Sequence, residues 1–235
     1  MISSTLSKIR PEKPSSYKNK VFLTFDIDWA HDEIIENTID ILEENDVKAT
    51  FFVTHNTKVV ERLRENHNFE LGIHPNFNFL LDKKSPKGDN SKKILEKILD
   101  IVPEAKVIRS HSLTQSERLL DLFVEYGLSH VSNTYIPFAR GIKIKPWRLW
   151  SDIVILPHFF QDNVELKLNK NYVTPRDIGL EIYDFHPIHI YLNSENTARY
   201  EKSRPYHRKP EILKNHINNM SFGTKSILKK IMKRI

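Results

Sequence analysis

The chain of 235 residues contains no cysteine. This absence excludes disulfide bonds, iron–sulfur clusters, zinc sites built on thiolates and cysteine nucleophiles. Any metal ion must therefore be held by His, Asp, Glu or Asn side chains. Hydrophobic residues make up 39% of the chain, which is enough for a sizeable core, and the length fits one large domain or two small ones. One α/β domain is the simpler expectation.

Long apolar segments are also absent. Residues 1–20 have no apolar core of signal-peptide length, and no later window approaches the roughly 18 apolar residues of a membrane span. We therefore expect a cytoplasmic protein. Two prolines, Pro11 and Pro14, and two serine pairs predict that residues 1–20 form a loosely held N-terminal extension.

Excess positive charge is confined to the end of the chain. The formal net charge is +6, but residues 199–235 contain 11 Lys or Arg and 2 Asp or Glu, so residues 1–198 carry −3. A basic body that binds nucleic acid is therefore not expected. Residues 224–235 place apolar and basic side chains on opposite helical faces. We expect residues 199–235 to be a basic helical tail packed on the preceding domain, with weak contact with an anionic membrane surface as the alternative.

Apolar runs alternate with helical patterns over residues 21–74. The run VFLTF at residues 21–25 has the composition of a strand buried on both faces, as in a parallel sheet. Residues 33–45 and 56–66 repeat apolar side chains at helical spacing, while residues 48–54 and 69–74 are apolar runs typical of strands. This β-α-β-α-β order predicts a parallel sheet with right-handed crossovers.

The alternation continues after a long polar loop at residues 75–90. The further predicted elements are helices at 91–101 and 116–127, strands at 105–111, 128–134, 153–160 and 180–186, an edge strand or hairpin at 142–152, and a helix beginning at Thr174 and Pro175. No internal repeat and no linker divide the chain. About seven strand and helix units therefore favour one barrel-like α/β domain over residues 21–198.

Two carboxylates spaced one residue apart follow the first predicted strand. If Asp26 and Asp28 both lie on the strand they point the same way, and a cation or a shared proton must relieve their repulsion. This arrangement indicates a metal or catalytic site. Alternatively, Asp26 ends the strand and Asp28 begins a turn, with Asp32 capping the next helix.

Polar side chains end the other predicted strands as well. In barrel-like α/β folds the chemistry gathers at the carboxyl ends of the strands. The residues found at these ends are His74, Arg109, His111, His158, His186 and His189. Each histidine alone is better explained as a satisfied polar residue, and Arg109 alone as an ordinary ion-pair partner. Their shared position favours a common site, whereas His67 and His207 lack it and are expected on the surface.

Five segments resemble the motifs of the NodB-homology polysaccharide deacetylases, carbohydrate esterase family 4, in the order that the family has them. The segments read TFDID, KATFFVT, ELGIHPNFN, VIRSHSL and YDFHPIH, and the resemblance spans roughly residues 21–193. The sequences of these segments are most similar to those of a divergent WbmS-like branch found with surface-polysaccharide biosynthesis genes. The resemblance implies a single domain with an irregular (β/α)7 barrel and an enzyme that hydrolyses amide bonds.

Catalytic roles also follow from the resemblance. It implies that Asp26 is the general base, that Arg109 orients this base and that His186 is the general acid. The chemistry is coherent on its own terms, because an arginine keeps a neighbouring carboxylate ionised and an imidazole can protonate a departing amine. The family's two aspartates are adjacent, whereas Ile27 separates them here, so the roles of Asp26 and Asp28 could be exchanged.

A divalent metal ion is implied as well, zinc first and manganese, nickel or cobalt as alternatives. The resemblance places it on Asp28, His74 and Asn78. Asn78 stands where the family has a second histidine, so the ion could be held loosely or could recruit another residue such as His111. Such an ion would polarise an amide carbonyl and acidify water.

The substrate implied is an N-acylated amino sugar, acetylated or formylated, in nucleotide-linked, lipid-linked or oligosaccharide form. The expected substrate-binding residues are Trp29, His111, Asp162 and His189. Asp162 could instead contact the arginine or cap the next turn. Because two family motifs are altered, the alternative function is a catalytically silent carbohydrate-binding protein of the same fold.

Overall fold

The computed structural model describes residues 1–81, 90–137, 141–168 and 179–235. Within these ranges ten strands form one curled sheet. The strands are β1 Ile2–Ser3, β2 Lys20–Asp26, β3 Ala49–Val53, β4 Phe69–Ile73, β5 Val107–Ile108, β6 His130–Val131, β7 Trp147–Arg148, β8 Val154–Ile155, β9 Phe160–Gln161 and β10 Glu181–Phe185. The α-helices are α1 Asp32–Glu43, α2 Val59–Glu65, α3 Asn78–Leu81, α4 Ser91–Leu99, α5 Glu117–Glu125, α6 Asp162–Leu168, α7 Pro187–Leu192, α8 Thr197–Ser203, α9 Pro210–Leu213 and α10 Thr224–Met232.

The sheet is parallel except at one edge. Its order is β7-β8-β6-β5-β4-β3-β2-β10-β9, with β1 paired to the start of β2, and only β7 and β8 run antiparallel among the described strands. Phe25 on β2 lies opposite Phe51 on β3 and Phe185 on β10. The carboxyl ends of the three central strands therefore meet at one edge, which confirms the predicted α/β barrel-like fold.

Large apolar side chains explain why β2 is central. Every residue from Val21 to Asp26 is buried, and Phe25 stacks on Phe51 at a ring-centroid distance of 5.0 Å and on Phe185 at 5.9 Å. Full burial of a phenylalanine contributes about 1.5–3 kcal/mol. This packing fixes the strand whose end carries Asp26.

The first 20 residues are not a loosely held extension, and that expectation is wrong. Leu6 and Ile9 are fully buried in the main core. The Leu6 amide donates a hydrogen bond to Thr50 Oγ1 at 3.2 Å, and the carbonyl oxygen of Ile9 lies 3.0 Å from Nε2 of His130. Two apolar anchors outweigh the loop-forming prolines and serines of this segment.

The last helix packs on the same core. Leu228 and Ile231 of α10 are fully buried, and the guanidinium of Arg234 donates to Glu181 at 2.6 Å. The predicted boundaries at residues 20 and 198 stay predictions. No helix in the described ranges is long and apolar enough to cross a membrane.

One predicted element differs from the structure, one is confirmed, and one cannot be compared. The predicted strand 153–160 is two strands, because the chain leaves β8 after Ile155 and pairs again with β10 at Phe160. The ambiguous segment 142–152 contributes the antiparallel edge strand β7. The helix expected at Thr174 and Pro175 lies outside the described residues.

Candidate active site

The carboxyl ends of β2, β4, β5 and β10 bring most of the predicted site residues together. A pocket of about 670 Å³ lies at this edge of the sheet. The predicted site residues that line it are Asp26, Asp28, Trp29, His111, His186 and His189. His74 and Arg109 are buried beside them, so four separate motifs of the sequence meet in one place.

A tight turn aims Asp28 into the site. β2 ends at Asp26, and the Ala30 amide closes a turn onto the Ile27 carbonyl at 2.8 Å. Asp28 and Trp29 occupy the turn with φ of 39° and 54°, as in a type I′ turn. Asp28 therefore begins a turn, as the alternative interpretation has it, yet its carboxylate still belongs to the site.

The helix cap is different from the one expected. The side chain of His31, not that of Asp32, accepts a hydrogen bond from an amide at the start of α1, that of Glu33 at 3.3 Å. Asp32 instead accepts a hydrogen bond from the Thr57 hydroxyl.

Asp28, His74 and His111 present three ligand atoms in a triangle. Asp28 Oδ1 lies 3.3 Å from His74 Nε2 and 3.2 Å from His111 Nδ1, and the two nitrogens are 3.3 Å apart. Ligand atoms about 2.0–2.1 Å from a tetrahedral ion lie about 3.4 Å from one another. The donor set and its spacing therefore fit a divalent ion such as zinc.

Burial and hydrogen bonding act in opposite directions on Asp28. Burial alone would raise the pKa of its carboxyl group, but the hydrogen bonds from His111 and His74 outweigh it and hold this pKa well below its ordinary value. Asp28 is thus ionised at neutral pH, as a metal ligand must be.

The Asn78 side chain is hydrogen-bonded to the segment that follows His111. Its Nδ2 donates to Ser112 Oγ and its Oδ1 accepts from Thr114 Oγ1, both at 2.9 Å. These bonds tie the start of α3 to the loop that carries His111. His111 occupies the third corner, so the assignment of Asn78 as a ligand stays a prediction.

Asp26, Arg109 and Asp184 form what we call the buried centre. Arg109 is fully buried, and its Nη1 donates to Asp26 Oδ1 at 2.9 Å and to Asp184 Oδ1 at 2.6 Å. Its guanidinium also lies 4.4 Å from the centroid of the Phe52 ring. The predicted contact between Arg109 and Asp26 is therefore present, while Asp184 is a partner that the sequence analysis missed.

One arginine faces two buried carboxylates in this centre. Burial raises the pKa of Asp184 to about 8, because the opposing effect of Arg109 is smaller and Asp26 adds repulsion. Asp184 therefore holds a proton at neutral pH, and its Oδ1 still accepts a hydrogen bond from Arg109. Its position two residues before His186, on the same side of β10, is the signal that could have identified it.

Asp162 holds His186 in place. The Nδ1 atom of His186 lies 2.6 Å from Asp162 Oδ1, and the His186 amide donates to Asp162 Oδ2 at 2.8 Å. Burial alone would lower the pKa of His186, but the Asp162 carboxylate outweighs it and raises this pKa well above its ordinary value. Asp162 itself is buried, so it reaches the site through His186 rather than through the pocket.

Trp29 and His189 both line the pocket, as expected of substrate-binding residues. The Trp29 ring meets that of His111 edge-on at 5.2 Å. His189 is buried against Tyr200 at 4.9 Å, and burial lowers its pKa to about 4, so its imidazole is neutral at neutral pH. His158, in contrast, is buried against Tyr135 and does not line the pocket.

Eight further polar residues line the pocket and are not among the site residues predicted from the sequence. These residues are Asn163, Lys167, Thr197, Tyr200, Glu201, Arg204, His207 and Arg208. His207 was expected on the surface, and that expectation is wrong because it is half-buried in the pocket wall. No strand ends at these positions, so the expectation that site residues lie at the carboxyl ends of strands does not predict them.

Comparisons with known proteins agree with this arrangement. Residues 23–204 match a protein family described as WbmS-like: polysaccharide deacetylase. The chain is also similar to the crystal structure of WbmS from Bordetella bronchiseptica, a candidate polysaccharide deacetylase involved in O-antigen biosynthesis. That similarity has a TM-score of 0.93 and 38% identity, and covers 99% of this chain and 97% of the other. No curated protein compared with the chain matches it. The family match confirms the resemblance drawn from the five motifs.

Proposed function

Since the chain belongs to the WbmS-like polysaccharide deacetylase family and is a hydrolase of linear amide bonds, we propose that it removes the acyl group from an N-acylated amino sugar with the help of a divalent metal ion. The triangle of ligand atoms carries this proposal. Asp26 Oδ2 lies 3.7 Å from His74 Nε2, and His186 Nε2 lies 3.5 Å from Asp28 Oδ2. A base and an acid thus flank the ligands on two sides.

Asp28, His74 and His111 are the proposed metal ligands. When bound, the ion supplies Lewis-acid polarisation of the amide carbonyl and lowers the pKa of water. Zinc suits one carboxylate and two imidazoles, and manganese, nickel or cobalt are alternatives. In this proposal His111, rather than Asn78, is the third ligand.

Asp26 is the proposed general base. It is almost fully buried, and Arg109 holds one of its oxygens, Oδ1, at 2.9 Å, which leaves Oδ2 to take a proton from the attacking water. Asp184 holds a proton at neutral pH, so it accepts a hydrogen bond from Arg109 without adding a second negative charge beside Asp26. Arg109 and Asp184 therefore act as positioning residues.

His186 is the proposed general acid. Asp162 occupies Nδ1, so Nε2 is the nitrogen that faces the site and can give a proton to the departing amine. This arrangement resembles the pairing of histidine with aspartate in other hydrolases, where the carboxylate fixes the ring and stabilises its charged form.

Surface-polysaccharide assembly is the proposed setting. The relative from Bordetella bronchiseptica is described as involved in O-antigen biosynthesis. We extend this setting to the present chain, with an acetamido or formamido sugar as substrate and Trp29 and His189 as residues that contact it.

Metal content and product release test the proposal together. Purified protein is analysed for metals and then assayed for acetate or formate release from nucleotide-linked N-acyl amino sugars in the presence of zinc, manganese, nickel or cobalt. We expect His111→Ala to lower metal affinity at least tenfold and Asn78→Ala to lower it less. We expect Asp26→Asn to retain the metal and lose about 10²–10⁴-fold in rate.

Two results would contradict this assignment. Metal binding that is unchanged in an Asp28→Ala, His74→Ala double variant would remove the ligand set. Saturable sugar binding without product release under any of these ions would favour the silent carbohydrate-binding alternative.

A further inference from the structure

Three cationic side chains line the same pocket as Asp28, His111 and His186. We call Lys167, Arg204 and Arg208 the cationic wall. Lys167 lies on α6, and the two arginines lie just after α8. All three residues are exposed and line the pocket, so a ligand that enters it can contact them.

Protein carboxylates do not neutralise this wall. Arg204 lies 3.5 Å from Glu201 in a largely exposed pair, which is a weak interaction. Within the described parts of the chain, Lys167 and Arg208 make no ion pair. The other acidic residues of the pocket have other partners. Asp26 forms an ion pair with Arg109, and Asp28 is hydrogen-bonded to His74 and His111. A net positive surface therefore remains on this side.

A row of rings connects the wall to the reacting end of the pocket. The ring centroids lie 5.9 Å apart for His186 and His189, 4.9 Å apart for His189 and Tyr200, and 4.8 Å apart for Tyr200 and His207. Arg204 begins a 3₁₀ helix over Arg204–Tyr206, and the i+3 spacing puts His207 on the same side of that turn. The cations thus line the same pocket as His186, and ring contacts through His189 and Tyr200 link His186 to His207, the neighbour of Arg208.

We propose that the substrate is a diphosphate-linked N-acyl amino sugar whose diphosphate binds Lys167, Arg204 and Arg208. The proposal rests on the proposed function and narrows its substrate class. A neutral polysaccharide offers no partner for three cations, whereas a diphosphate offers several charged oxygens to guanidinium groups. A cavity of about 670 Å³ also fits a precursor of one or two sugars. A nucleoside diphosphate and a polyprenyl diphosphate share this chemistry, and the experiment separates them.

Binding without catalysis is the test. Uridine diphosphate, geranyl diphosphate and inorganic pyrophosphate are titrated calorimetrically into the full-length protein after chelation of divalent ions, so that chelation by the diphosphate does not contribute. We expect saturable binding that weakens as salt concentration rises. A Lys167→Ala, Arg208→Ala double variant should bind at least tenfold more weakly, whereas Arg118→Ala, an exposed arginine outside the pocket, should bind like the wild type.

The relative affinities for uridine diphosphate and geranyl diphosphate distinguish the two substrate classes. Tighter binding of uridine diphosphate than of geranyl diphosphate supports a nucleotide-linked sugar, and the reverse order supports a lipid-linked one. Equal affinity of the double variant and the wild type would overturn the proposal, as would binding of glucuronate that is as tight as that of the diphosphates. An Asp26→Asn variant should keep diphosphate binding, so a failure of catalysis is distinguishable from a failure of this inference.

Discussion

The buried centre and the cationic wall belong to one pocket but are built differently. Arg109 of the buried centre is fully buried and donates hydrogen bonds to Asp26, Asp184 and neighbouring hydroxyl and carbonyl groups. Arg208 of the wall is exposed. The first arrangement is fixed before any substrate arrives, as catalysis requires, while the second is free to adapt to a ligand. The residues of the buried centre therefore contribute to both stability and catalysis, whereas those of the cationic wall contribute to ligand binding alone.

Removal of Arg109 should give the largest effect. Arg109→Ala leaves Asp26 and Asp184 buried without their cation, so we expect the free energy of unfolding to fall by about 3–5 kcal/mol. Urea denaturation followed by circular dichroism measures this change. Arg118→Ala is the matched control and should stay within about 0.5 kcal/mol of the wild type. A similar small change for Arg109→Ala would mean that the centre and the wall do not differ.

The pH dependence of stability isolates Asp184. Its pKa is about 8 in the folded protein and about 3.9 in an unfolded chain, so the folded state binds more protons between these values. Stability contributed by this group is therefore present at low pH and is lost as pH rises towards 8. We expect Asp184→Asn to remove this loss, so the variant should gain stability relative to the wild type as pH increases from 5 to 8. A difference between the two proteins that does not change with pH would contradict the protonated state of Asp184.

The smallest effect on stability should come from the wall. Arg208→Ala and Lys167→Ala remove exposed charges with no described ion pair, so we expect each to change the free energy of unfolding by no more than about 0.5 kcal/mol. The same urea titrations test this expectation. Destabilisation by more than about 1 kcal/mol would show that the wall has a role in folding.

The contrast also explains what the sequence could predict. The site residues at the strand ends could be predicted because a buried parallel strand has a recognisable composition. A polar residue at the carboxyl end of such a strand indicates a functional site in this class of fold. Asp26, Asp28, His74, Arg109 and His186 were identified in this way. Asp184 was missed because it lies within an apolar strand, where its partner comes from Arg109, 75 residues away in the chain.

The residues of the cationic wall could not be predicted from the sequence, for a different physical reason. Its residues lie on a helix and on a turn with no apolar periodicity of their own, and basic residues are common on solvated faces. Only the path of the chain after α7 brings Arg204, His207 and Arg208 to the pocket. His111 shows the same limit, because the choice between it and Asn78 depends on hydrogen bonds with Ser112 and Thr114 that the motif does not encode.

The turn that aims Asp28 into the site has a consequence for protein engineering. A bulky side chain such as Trp29 at φ of 54° is strained, and strain of this kind costs about 1–3 kcal/mol for each residue. Glycine would relieve this strain, but it would also remove the ring beside His111 and loosen the turn that carries Asp28. A library selected only for thermal stability is therefore expected to accumulate glycine at position 29 and to lose metal affinity, because the two properties oppose each other at this turn.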